Sequence, residues 1–378
     1  MLDFLAGRQW LAVVLAPLLA RVLILGLMRF AVQWNLIDHP GHRKVHAHPT
    51  PLVGGLAIFL TLLALQSVAG GIPFQSWTLF FALVLVTAIG VADDAHELSH
   101  RSKFVAQALG AALIVSGTYV WVTHMGDLAG LGVIELGKWS ILVTMISFIG
   151  VMNAINMIDG LDGLSGSISL APVLLMAYLA FEGNAPGLLF ELLLLAGAIL
   201  GFLSLNLRLR GRAKALVFIG DTGGMVIGML LAWYSVKLAG SPDSAIQPIT
   251  AVWLLAVPLL DMGSVMLLRL HQRKSPFHAD QQHMHHVLLK AGYSVNQVVA
   301  IMAGFSLLFG VIAIAAERNG VPEAVMFFSF LMLWGAYVAG LKHPKVLQAI
   351  ARRLVAPCPD RAGSGHVSAA AGGAAKRD

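Results

Sequence analysis

Charge is scarce in this chain. Only 12 % of its 378 residues are Asp, Glu, Lys or Arg, against about 25 % in an ordinary soluble domain. With 58 % hydrophobic residues and a mean hydropathy of +0.80, a soluble fold is excluded and a polytopic membrane protein remains. Cysteine is nearly absent as well. The single Cys358 permits neither an internal disulfide nor a cysteine-based metal cluster. No internal repeat is evident. The net charge of +6 would suit nucleic acid in a soluble chain. In a membrane chain, basic residues gathered in cytoplasmic loops explain it, so nucleic acid is not an expected partner.

Long apolar runs are what the chain has instead. A membrane span needs about 20 apolar residues. Eleven runs qualify, near 10–32, 52–70, 77–92, 103–123, 139–158, 163–182, 187–206, 215–237, 246–269, 296–316 and 321–341. The first lacks a small-residue cleavage site and reads as a retained span. The expected fold is therefore all-α with about eleven transmembrane helices. Placing the 33–51 loop in the cytoplasm and alternating puts nineteen Lys and Arg on that side and four on the other. That asymmetry predicts N-terminus out and C-terminus in. Residues 1–345 read as one integral-membrane domain. Residues 346–378 read as a basic, Ala/Gly-rich cytoplasmic tail without order.

A carboxylate beside hydrocarbon is costly and by default marks function. Asp93-Asp94 end the third run, and Asp159 and Asp162 sit in the tight turn between the fifth and sixth. Asp221 and Asp261 lie inside the eighth and ninth. In the alternating topology all six fall toward the cytoplasmic side. Each also has a plainer reading. Asp93 and Asp94 suit a solvated helix end, Asp159 and Asp162 suit turn chemistry, and Asp261 suits a pair with Arg269 or a backbone donor. Asn153 and Asn156 precede Asp159 at steps of three and share a helix face. That polar strip fits a hydrated cation or a nucleotide, or hydrogen bonding between helices.

The last cytoplasmic loop, Ser275-Pro276-Phe277-His278-Ala279-Asp280-Gln281-Gln282-His283-Met284-His285-His286, brings three imidazoles together at His283, His285 and His286. Hard oxygen ligands dominate elsewhere, so phosphate contact is expected here rather than a transition metal. The first cytoplasmic loop carries Arg43 and Lys44 before Gly54-Gly55. It suits phosphate binding or anionic lipid. The Arg208-to-Lys214 run reads as a topological marker.

Five segments, RKVHAHPTPLVGG (43–55), GVADDAHELSHRSKFVAQ (90–107), NAINMIDGLDGL (153–164), FIGDTGG (218–224) and SPFHADQQHMHH (275–286), resemble the polyprenyl-phosphate N-acetylhexosamine-1-phosphate transferases, in the family's order. The nearest branch is the bacterial one acting on undecaprenyl phosphate and UDP-N-acetylglucosamine. The resemblance implies a multi-pass enzyme of the bacterial inner membrane, dependent on Mg²⁺ with Mn²⁺ as the substitute. It would move a sugar-1-phosphate from a UDP-sugar to undecaprenyl phosphate and release UMP, opening a cell-envelope glycan such as an O-antigen. It implies catalytic roles for Asp93, Asp94, Asp159, Asp162 and His283, and a metal ligand in Asp221. Substrate contacts would come from Lys44, Lys103, Asn153, Asn156, Arg269, His285 and His286. Membrane lipid is a partner, and a homodimer is left open. Met284 interrupts the three consecutive histidines typical of the relative acting on UDP-muramoyl-pentapeptide. Gln281 replaces an expected basic residue, so another UDP-N-acetylhexosamine or the muramoyl substrate stays an alternative. A transporter is the distant one: the acids lie off the midplane and no repeat shows.

Overall fold

A computed structural model describes residues 5–39, 49–70, 74, 76–209, 212–241, 244–276 and 282–357. Lys44 and residues 277–281 lie outside them. The elements run α1 (Gly7–Leu27), β1 (Ile37–Asp38), β2 (Thr50–Pro51), α2 (Gly54–Ala69), α3 (Trp77–His96), α4 (His100–Thr118), α5 (Ser140–Ile158), α6 (Leu164–Glu182), α7 (Pro186–Asn206) and α8 (Gly220–Ala239). They continue with α9 (Pro248–Leu254), α10 (Ala256–His271), α11 (Met284–Lys290), α12 (Val295–Arg318), α13 (Glu323–Lys342) and α14 (Pro344–Leu354). The two short strands pair antiparallel.

Every predicted apolar run contains a helix. Among the described residues eight helices are long and apolar enough to cross a membrane. The ninth run is broken. α9 and α10 meet at 82°, because Pro258 has no N–H to return to the Leu254 carbonyl one turn back. α2 is shorter, at 16 residues. The expected boundary at 345 falls inside α14, so the first residues of the expected tail are helical to Leu354; residues 358–378 lie outside the described part.

α8 is the axis of the bundle. It is buried almost throughout, whereas α1 and α13 turn most of their apolar surface outward. α8 packs against α2, α3 and α5, and small residues make each approach. A Cβ on Gly55 would lie 2.1 Å from the Gly223 amide nitrogen, and one on Gly90 would lie 2.5 Å from the Thr222 Cα. The neighbour is backbone in both cases and has no room to yield. The Gly54 and Gly55 amides donate to the carbonyls of Phe218 (3.0 Å) and Ile219 (2.8 Å), and the Phe218 amide donates to Pro51 (2.8 Å). The start of α2 thus docks on the strand-like approach to α8.

Gly55→Ala is expected to destabilise the fold by about 1–3 kcal/mol or more through overpacking. Gly26→Ala, whose Cβ meets nothing within 4 Å, is the control. Thermal unfolding of both proteins in detergent checks the difference.

Candidate functional site

The site grows from the start of α8. Gly220 has φ +71, a conformation cheap only for glycine, and it turns the chain into the helix. The first amides of a helix have no partner within it. Here Asp94, at the end of α3, supplies one. Its carboxylate accepts from the Asp221 amide (2.7 Å), the Thr222 amide (3.2 Å) and the Thr222 hydroxyl (2.6 Å). A side-chain oxygen in that position contributes about 1 kcal/mol, and its charge complements the helix dipole. This helix terminus is therefore filled from inside the protein and is not an open phosphate cradle.

Asp93 points elsewhere. It is 3 % exposed, accepts from the Leu98 amide (2.7 Å) and forms an ion pair with Lys103 Nζ (2.8 Å). The same ammonium lies 3.4 Å from Asp221 Oδ2. Lys103 stands in the first turn of α4, which begins when Ser99 accepts from the Ser102 amide (3.2 Å). Two acids and one cation thus meet where α3, α4 and α8 end or begin.

Beside them opens a cavity of about 320 Å³. Lys103, Asp221, Asn153, Asn156, Arg269, His283, His285 and His286 all line it, with His100, Gln107 and Gly160. The structure therefore gathers most of the predicted residues. Asn153 donates to Gln107 (2.7 Å) and so ties α5 to α4 while facing the cavity. Asp93, Asp94, Asp159 and Asp162 are not on its wall. Asp159 accepts from the Ser165 hydroxyl (2.6 Å). Asp162 binds Arg208 (2.7 Å) and the Ala215 amide (3.1 Å). The 208–214 run is thus more than a topological marker: Arg208 holds Asp162, and Arg212 donates to the Ser204 and Leu207 carbonyls.

Of the two partners expected for Asp261, a backbone donor is present and Arg269 is not, and sequence reasoning missed two side-chain partners, His283 and Tyr337. This carboxylate is fully buried and takes His283 Nδ1 at 2.6 Å, the Met284 amide at 3.0 Å and the Tyr337 hydroxyl at 2.8 Å. Arg269 goes instead to the Pro276 carbonyl (2.6 Å). Asp261 thereby fixes the histidine helix α11 against α10 and α13. The signal available was an acid inside an apolar run with a histidine loop following it. His285 stacks on His283, with ring centroids 5.4 Å apart. It is 1 % exposed, and neither ring nitrogen has a hydrogen-bond partner among the described residues. Buried polar atoms are usually satisfied, so an imidazole facing a cavity without partners points to a ligand.

Burial, and then His286, pushes the His285 imidazole down to about 3, so the ring is neutral at physiological pH. Between about 6.5 and about 3 the unfolded chain binds this proton and the folded one does not. Stability should therefore fall as pH drops through that window. His285→Gln should flatten the decline when unfolding temperature is measured against pH.

A model of glycosyl transferase family 4 matches residues 76–239, the stretch from α3 to the end of α8. The chain is 31 % identical over 337 residues to an undecaprenyl-phosphate alpha-N-acetylglucosaminyl 1-phosphate transferase of Haemophilus influenzae, covering 89 % of this chain and 95 % of that one. Proteins of the same name from Salmonella typhi (31 %) and Escherichia coli (30 %) match over 86 % of this chain and 90 % of theirs. Coverage of this extent, over a multi-pass helical bundle with most of its predicted site residues gathered around one cavity, makes the chain a phosphosugar transferase of the membrane. It belongs to the polyprenyl-phosphate N-acetylhexosamine-1-phosphate transferase family.

Proposed function

We propose that the protein transfers N-acetylglucosamine 1-phosphate from UDP-N-acetylglucosamine to undecaprenyl phosphate, releasing UMP, as the first membrane step of a cell-envelope glycan. The observation that carries this reading is the cavity itself. One carboxylate, one ammonium, one guanidinium and four imidazoles share its wall at one end of an apolar bundle. That donor set suits a diphosphate held at the surface of a membrane, where a lipid phosphate also rests. The bias of nineteen basic residues against four supports eleven spans, a cytoplasmic site, an outer N-terminus and an inner C-terminus, in the bacterial inner membrane.

Mg²⁺ fits the residues present. Among the described residues no set of three or more His, Cys, Asp or Glu converges as a cage. Mg²⁺ uses one or two carboxylates and completes its shell with water and phosphate oxygens. Asp221, half-buried and lining the cavity, would hold it, and Asp93, paired with the same Lys103, adds negative potential behind. When bound, the ion neutralises charge on the diphosphate.

The residues divide the remaining work. The second pKa of a phosphate monoester is near 6, so the lipid phosphate oxygen is already a nucleophile. It attacks the sugar-bearing phosphorus, the bond to UMP oxygen breaks, and UMP departs with the electron pair. The obstacle is bringing two anions together. Lys103 offsets that repulsion and is held in place by Asp93. Arg269 and the imidazoles contact the diphosphate or sugar. Asp261 engages His283 Nδ1 and leaves Nε2 for the substrate. Asn153 and Asn156 shape the nucleotide side. Asp94, Asp159 and Asp162 position backbone: Asp94 sets the α8 terminus, and the other two hold the turn after α5. Lys44, from the first loop, adds a phosphate contact in this reading.

Asp221→Asn should abolish UMP release at every Mg²⁺ concentration while insertion and unfolding temperature stay normal. His283→Ala should lower kcat about 100-fold or more, the scale of losing one donor to a developing anion. Asp261→Asn should lower it in the same direction. UMP release from UDP-N-acetylglucosamine, in vesicles containing undecaprenyl phosphate, is the measurement. Near-normal turnover of Asp221→Asn would remove that residue as a ligand.

A further inference from the structure

Helix α14 has no role in the chemistry above, yet its surface is organised. It begins two residues after α13 ends at Lys342, and the break at His343 (φ −119, ψ 63) prevents the two from forming one rod. Leu347 lies 3.2 Å from a Cβ built on Gly340, so α14 folds back beside the last turn of α13. Since α13 is long and apolar enough to cross a membrane, α14 starts at the level where hydrocarbon gives way to headgroups.

At 3.6 residues per turn α14 shows three sectors. Leu347 and Ala351 point inward and pack on clusters built by α10, α11 and α12. Val346, Ile350 and Leu354, at steps of four, form a second stripe, and all three are exposed. Lys345 and Arg352, one step of seven apart, form the third, with Arg353 between the basic and apolar sectors. The orientation is fixed by the protein. Arg352 Nε donates to the Ala291 carbonyl (2.7 Å), the Tyr293 hydroxyl to Val355 (2.7 Å) and the Gln297 amide to Ala356 (3.1 Å). The apolar stripe is therefore held outward rather than left to roll under the protein. No acidic residue occurs between Glu323 and Asp360, while Lys342, Lys345, Arg352 and Arg353 do.

We propose that α14 is a membrane-surface helix whose Val346, Ile350 and Leu354 stripe seats in the leaflet at the α13 C-terminus, while Lys342, Lys345 and Arg353 bind anionic lipid headgroups. Two features select this occupant. An apolar stripe beside a cationic one is the pattern of helices lying in the interface plane. The unbroken positive charge complements an anionic surface. The proposal concerns lipid contact alone and stands whichever sugar nucleotide the enzyme uses.

The single cysteine makes the test direct. Cys358→Ser provides a cysteine-free full-length chain. Ile350→Cys or Leu354→Cys on the stripe, and Ala349→Cys on the outward polar side, then carry a nitroxide. The proteins are reconstituted in vesicles of phosphatidylcholine alone or mixed with phosphatidylglycerol. The expected result is a ratio of oxygen to nickel-chelate collision rates several-fold higher at 350 and 354 than at 349. That contrast should grow with phosphatidylglycerol and shrink in high salt, or when Lys345 and Arg353 are both replaced by Gln. Equal nickel access at 349, 350 and 354 would overturn the proposal, as would shielding of 350 from both reagents, which marks a second copy or a protein partner. Depth that ignores phosphatidylglycerol would overturn the anionic-headgroup assignment.

Discussion

A carboxylate from one helix holding the open end of another is the contact on which the rest of this molecule depends. Asp94 closes the amides that begin α8, and Asp221 is the residue whose amide it takes. The position of Asp221 is thus inherited from α3 rather than from α8 alone. Gly90 and Gly55 let α3 and α2 come close enough for that contact to form. The glycines around Asp221 therefore serve packing and one left-handed turn. The anion at the helix terminus is internal.

Convergence at one end of the bundle follows from this arrangement. α3 and α5 finish there and α4 and α8 begin there, so short polar stretches at four helix ends face a common space. A membrane interior penalises charge, whereas the ends of spans meet water and headgroups. A site assembled from ends can hold acids and bases together without carrying them into hydrocarbon. It is also where a lipid phosphate and a soluble sugar nucleotide can meet. The histidine helix closes the same space from the other side, anchored through Asp261 to α10 and through Tyr337 to α13.

Much of this was legible from residue types and spacing. Each apolar run is helical, the ninth as two helices, because length and hydropathy leave little choice in lipid. The acids and imidazoles stood out because they are expensive near hydrocarbon, and most of the gathered wall was readable from them. What pattern alone does not reveal is direction. Asp93 and Asp94 are identical neighbours, yet about 100° of helix rotation sends one to Lys103 and the other to the start of α8. Asp261 has Arg269 eight residues on, but besides the expected backbone donor its side-chain partners are His283, which arrives through a loop, and Tyr337. Arg208 looked like topological charge until its distance to Asp162 was known. The bend in the ninth run hinges on Pro258, whose effect depends on which carbonyl it leaves unpaired.

The central claim is that one divalent ion, on Asp221, meets the diphosphate beside Lys103 and the histidine helix. Anomalous scattering from the purified enzyme soaked with Mn²⁺ and UDP-N-acetylglucosamine tests it most directly. A single peak at coordinating distance from an Asp221 oxygen, with phosphate density reaching toward Lys103 and His283, is the predicted result. A peak held by other residues, or at the opposite end of the bundle, would contradict the account.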